Sequence, residues 1–148
     1  MNHEQMYFED VKEGLELPGF TFGPVTTKDL IRWACARGNY HQIHYDKDIA
    51  MKEGNPDVLV HGPLKFGLMD RMIRDWIGEH GQLKKISCSY RAVDVPGNVL
   101  TVNGKVVTKS IEEAEGHVQC ELWVKNQKGE LTTKGTAAVT LPLRGKNN

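Results

Sequence analysis

The chain has 148 residues, 39% of them hydrophobic and 26% charged, the balance of one globular domain with an ordinary core. Nineteen Lys and Arg offset nineteen Asp and Glu, so the formal net charge is zero. A neutral chain has no broad positive face from which to draw affinity for DNA, RNA or anionic lipid, and neither a nucleic-acid nor a membrane partner is expected.

The start, "MNHEQMYFEDVKEGLELPG", is polar and acidic where a secretory leader needs a basic tip followed by an apolar run. No stretch reaches the roughly 18 uninterrupted apolar residues of a membrane span. Cys35, Cys88 and Cys120 are odd in number and spaced like neither a disulfide framework nor a zinc knuckle, which fits a reducing cytoplasm. "FTFG" then reads as a short strand. "TTKDLIRWACARG" carries a helix start, with Thr26 or Thr27 as cap and Asp29 in the positive first turn. Leu30, Ile31, Ala34 and Cys35 fall on one face, and Gly38 is a natural stop.

A loop follows, and then "HGPLKFGLMDRMIRDWIGEHG" opens a longer helix. Pro63 suits its first position, where a missing N–H costs nothing. Leu64, Leu68, Met69, Met72, Ile73, Trp76 and Ile77 make a wide apolar stripe, with Lys65, Arg71, Arg74 and Asp75 expected on the solvent side. From Gln82 the period changes to two. "ISCSYRAVDV", "VLTVNGKVV", "HVQCELWVKN" and "TKGTAAVTLPL" read as strands separated by turns at "PGN", "EEAEG" and "NQKGE". Helices first and an antiparallel meander afterwards indicate an α+β fold, the long helix lying across one face of a curved sheet. No repeat, linker or composition shift divides the chain, so residues 1–148 are expected to form a single domain, with "RGKNN" as a loose tail.

One short stretch stands out chemically. "GNYHQIHYD", residues 38–46, gathers an amide, two imidazoles and a carboxylate. Together with "LVHGPL" after a short loop, it resembles the MaoC-like hotdog dehydratases and (R)-specific enoyl-CoA hydratases. The similarity spans about residues 20–142. In that superfamily a turn bearing Asp-x4-His-x-Asp precedes a loop and then a His-Gly pair at the start of the central helix. The subgroup with N-x-H-x-I-H-Y-D, which includes fungal and mitochondrial hydroxyacyl-thioester dehydratases and bacterial mesaconyl-C4-CoA hydratases, is the nearest in pattern. The resemblance implies a hotdog fold, an antiparallel sheet wrapped around a long central helix. It also implies a homodimer or higher homo-oligomer, and a hydro-lyase acting on acyl-CoA or acyl carrier protein thioesters.

Carried over by position, His44 falls on the catalytic histidine, Asn39 on the place usually held by the catalytic aspartate, and Gly62 on the glycine whose N–H binds the thioester oxygen. Imidazole, with an ordinary pKa near 6.5, can take a proton from water and return it to carbon. An amide cannot take a proton near neutral pH, so Asn39 is restricted to positioning the water. Each residue has a plainer reading too. His44 also fits a bond to a backbone carbonyl at the loop's exit, and Asn39 a turn residue after Gly38. His41 and His61 are candidate substrate contacts or loop-stabilising residues, and Asp46 a cap for "KDIAMKEG". Lys84, Lys85 and Arg91 are candidates for the CoA phosphates or ordinary surface cations.

His41, His44, His61 and Asp46 lack an HExxH pattern or nearby cysteines, so no metal is expected. Without a glycine-rich phosphate loop, no cofactor is expected either. Because Asn39 replaces the acid, the alternative is a catalytically weak or silent acyl-thioester-binding subunit of a heteromeric hydratase. A thioesterase would need a carboxylate where Asn39 stands.

Overall fold

The computed structural model describes residues 5–145. Five antiparallel strands, β1 (Phe20–Phe22), β2 (Gln82–Tyr90), β3 (Leu100–Glu112), β4 (Glu115–Lys125) and β5 (Leu131–Leu141), form one sheet in the order β1-β3-β4-β5-β2. Three helices, α1 (Thr27–Arg37), α2 (Lys47–Lys52) and α3 (Gly62–Ile77), fill the stretch between β1 and β2. α3 packs against β2, β3, β4 and β5, so the sheet wraps around it. This is the hotdog arrangement implied by the resemblance.

The alternation seen in the sequence sets the inner face of the sheet. Val118, Cys120, Leu122 and Val124 of β4 are buried, while Trp123 between the last two is only partly covered. They meet the stripe of α3, where Leu64, Leu68, Met69, Met72, Ile73, Trp76 and Ile77 are all buried. Burying each such side chain contributes about 1.5–3 kcal/mol, so this one contact surface dominates the stability of the fold. The turn between β3 and β4 places Glu113 and Ala114 at φ 50° and 66°, the left-handed pair that a two-residue hairpin needs.

α1 begins at a full capping box. The Thr26 hydroxyl accepts from Asp29 N–H, and the Asp29 carboxylate accepts from Thr26 N–H, an arrangement of about 1 kcal/mol. The helix ends at Gly38 in the left-handed region, φ 63°. Its buried face differs from the expected one. Leu30 and Ala34 are buried and Trp33 packs partly on the core, but Ile31 is 48% exposed and Cys35 is exposed. Ile31 and Cys35 lie one residue round the helix from Leu30 and Ala34, on the flank facing solvent.

Two further expectations are corrected. The strand read from "ISCSYRAVDV" ends at Tyr90, because the next backbone groups are taken elsewhere. The Ala92 carbonyl accepts from the Lys65 ammonium at 3.0 Å, and the Asp94 carbonyl accepts from Val60 N–H at 2.8 Å. Lys65, assigned to the solvent side of α3, is buried with 2% of its side chain exposed, paired at 2.8 Å with an Asp94 that is fully buried. The pair fastens the first turn of α3 to the loop after β2. "RGKNN" begins as an anchored end: the Arg144 guanidinium pairs with Asp10 and stacks over Tyr7. Residues 146–148 of that tail and residues 1–4 of the polar start lie outside the described residues.

Removing one member of a buried ion pair strands the other charge, at a cost of about 3–5 kcal/mol, whereas replacing both with apolar residues is often neutral. Lys65→Met alone is therefore expected to lower the unfolding free energy by that amount, and Lys65→Met with Asp94→Leu to recover most of it. Urea titration of the wild type, the single and the double variant measures both values.

Candidate active site

The stretch after α1 is built as a series of local caps. His41 precedes a 3-10 turn, Gln42–His44, and its Nδ1 accepts from Ile43 N–H at 3.4 Å. Asp46 caps α2 by accepting from Ile49 N–H at 3.1 Å, as its sequence position suggested. Asn39 is half-buried, and its side-chain oxygen accepts from His41 N–H at 3.4 Å. That long bond leaves the second lone pair of the amide oxygen for another donor.

The segment leading into α3 then folds back on this turn. Leu59 N–H donates to the Ile43 carbonyl at 2.9 Å, and the Leu59 carbonyl lies 2.8 Å from His44 Nδ1. A carbonyl only accepts, so Nδ1 carries the proton and neutral His44 presents a bare lone pair at Nε2. The plainer reading of His44, a bond to a backbone carbonyl at the loop's exit, is thus a feature of the structure. It also gives the ring the tautomer that a general base needs.

His61 lies face to face with His44, ring centroids 3.7 Å apart and planes 19° from parallel. Because His61 directly precedes Gly62, the stack stands His44 against the start of α3. His61 has no exposed surface, so its ring offers a substrate nothing to touch; it backs His44 instead. Neither of its nitrogens has a hydrogen bond of good geometry, although the Asn39 main chain lies near enough to favour the proton slightly. Burial, with His44 beside it, lowers His61 to about 4. His44, half-buried, is also lowered. Burial is the main cause and His41 adds to it, while the bond to Leu59 opposes them. Both rings are neutral at pH 7. His41 is exposed and sits edge-on to His44 at 6.2 Å.

Gly62 is the first residue of α3, so its N–H has no acceptor within the helix and points out along the positive end of the dipole. The reason for glycine here is visible. A Cβ at this position would lie 2.8 Å from atoms of the Tyr90 ring. A neighbouring aromatic ring therefore excludes a side chain here.

The cationic candidates are not gathered at this site within one chain. Lys84 and Lys85 stand six and five residues before Tyr90 on β2, roughly 17–20 Å away at the strand rise, and Lys84 bonds Gln82 at 2.7 Å. Arg91 follows Tyr90 and lines a surface cleft of about 330 Å³ with Cys88, Ser89 and Lys134. Among the described residues no three His, Cys, Asp or Glu side chains are grouped as a metal shell would require. Two features escaped the sequence reading: the Lys65–Asp94 pair and the Tyr90 ring over Gly62. Only the folding back of the loop after β2 creates them, and no local pattern announces it.

Known proteins share this architecture. Residues 12–98 match the hydroxyacyl-thioester dehydratase type 2 family. The beta subunit of the 3-oxo-4,17-pregnadiene-20-carboxyl-CoA hydratase of Mycobacterium tuberculosis is 27% identical over 89 residues, covering 55% of this chain and 69% of the relative. The R-hydratase PhaJ1 of Pseudomonas aeruginosa superposes with a TM-score of 0.83 at 20% identity, over 95% of this chain and 88% of its own. The ChsH1–ChsH2 complex of M. tuberculosis contains a chain that superposes with a TM-score of 0.77 at 21% identity, over 88% of this chain and 98% of its own. The two structures share the fold; the family match covers more than half of the sequence, and the chain belongs to the hydroxyacyl-thioester dehydratase type 2 family, whose general chemistry is hydration and dehydration.

Proposed function

We propose that the protein adds water to trans-2-enoyl thioesters of coenzyme A, or removes it from 3-hydroxyacyl thioesters, with His44 as the acid/base. In the hydration direction His44 Nε2 takes a proton from water as the water oxygen bonds to the β-carbon. The π electrons move towards the thioester, and the resulting enolate oxygen lies at the Gly62 N–H, where the helix terminus favours negative charge. The imidazolium then returns its proton to the α-carbon as the carbonyl re-forms. Asn39 holds the water through its free lone pair, and His41 lies at the rim.

The observation that carries this reading is the fixing of one imidazole in the basic tautomer beside a free helix N-terminus. The bond to Leu59 supplies the tautomer and the stack on His61 the position. Acyl carrier protein thioesters fit the same chemistry.

A second reading is kept because the group at position 39 is an amide and a relative is described as a beta subunit. On it, the chain binds an acyl thioester and contributes to a heteromeric hydratase without turning over by itself. Assay of the purified chain alone on crotonyl-CoA and a longer enoyl-CoA separates the two, since only the first reading gives turnover.

His44→Ala is expected to leave the fold intact and reduce enoyl-CoA hydration to background, measured by loss of enoyl absorbance alongside circular dichroism; a folded variant that still hydrates would contradict the role. The pH dependence follows from the lowered His44. In the hydration direction the base must be unprotonated, so kcat/KM is lost as pH falls through the folded value, and the plateau should extend below the ordinary 6.5. Proton NMR titration of the ring signals should show His61 neutral until about pH 4.

A further inference from the structure

Tyr90 is the last residue of β2 and is 49% exposed. The three atoms at the phenolic end, Cε1, Cζ and Cε2, lie 2.8 to 3.0 Å from where a Cβ on Gly62 would be. The hydroxyl therefore projects from the part of the ring that covers the helix start. An oxygen hydrogen-bonded to the Gly62 N–H would sit about 2.9 Å from that nitrogen. The Lys65 ammonium, 5.9 Å from the ring centroid, holds the ring from below by its attraction to the π face, and is itself locked to Asp94 and the Ala92 carbonyl. The phenolic end of the ring thus lies against the residue whose N–H opens the helix.

We propose that Tyr90 is a substrate-contacting residue of the hydratase site, its phenolic O–H donating alongside the Gly62 N–H to the carbonyl oxygen of the bound acyl thioester. The inference rests on the hydratase reading and adds a donor to it. Burial first, and then a side-chain hydrogen bond with Cys88, raise the phenol to about 12, so the proton stays in place throughout the working pH range and passes from the Cys88 contact to the substrate oxygen on binding. The contact strengthens as the carbonyl becomes an enolate, so it acts mainly on kcat.

Tyr90→Phe keeps the ring over Gly62 and removes only the hydroxyl. With crotonyl-CoA its kcat should fall about a hundredfold, the range for loss of one donor to a developing oxyanion, with KM little changed. Carbon-13 NMR of protein labelled at tyrosine Cζ gives a readout independent of turnover. The chain has four tyrosines, the variant identifies the signal of Tyr90, and saturation with butyryl-CoA, which cannot be hydrated, should move it. An unchanged kcat in Tyr90→Phe, or a Tyr90 signal unmoved at saturating butyryl-CoA, overturns the proposal. A wild type that moves the signal yet hydrates no enoyl-CoA leaves Tyr90 as a thioester contact and overturns the hydratase reading instead. A wild type that binds no butyryl-CoA overturns both.

Discussion

The site depends on the bond between His44 Nδ1 and the Leu59 carbonyl. It is one of two rungs joining the turn at 43–44 to the strand-like entry into α3, the other being Leu59 N–H to the Ile43 carbonyl. Together they bring a loop from one end of the sequence motif against a helix start from the other, and they fix which imidazole nitrogen is free. Without the bond, His44 would be a half-buried ring with two possible tautomers and no fixed bearing on Gly62. A hydrogen bond of this kind contributes only about 1 kcal/mol to stability, so its importance here lies in orientation.

The stack with His61 adds a second constraint. A buried imidazole whose two nitrogens lack good partners is costly in any state and far more so when charged. His61 is therefore kept neutral, so no buried positive charge stands beside His44 to oppose the proton it takes from water. The Lys65–Asp94 pair does the complementary work on the other side of the helix start. It immobilises the loop after β2 and, through it, the Tyr90 ring that leaves room only for glycine at 62. Groups that look structural one at a time thus converge on the N-terminal turn of α3.

Much of the fold was legible in the sequence because two periods are strong there. The three- and four-residue spacing of the α3 stripe and the alternation in β4 each have one face to bury, and the structure buries those faces. The capping box at Thr26 and Asp29 and the stop at Gly38 are local chemistry and needed no tertiary context. In the site, the motif spacing singled out His44 and Gly62, which the structure brings to one place. Other features depend on which element lies opposite, and a helical wheel does not hold that information. Lys65 reads as a surface cation until the 92–94 loop folds over it, and Ile31 reads as core until α1 is tilted onto Leu30 and Ala34. Lys84 and Lys85 are close to the site in sequence but are carried away from it by an extended strand.

A crystal structure with butyryl-CoA bound tests most directly whether His44 and Gly62 share one acyl thioester. The thioester oxygen is expected within hydrogen-bonding distance of Gly62 N, with the acyl β-carbon facing His44 Nε2 across a space the size of one water. A thioester seated elsewhere, with His44 and Gly62 both clear of the acyl chain, would contradict it.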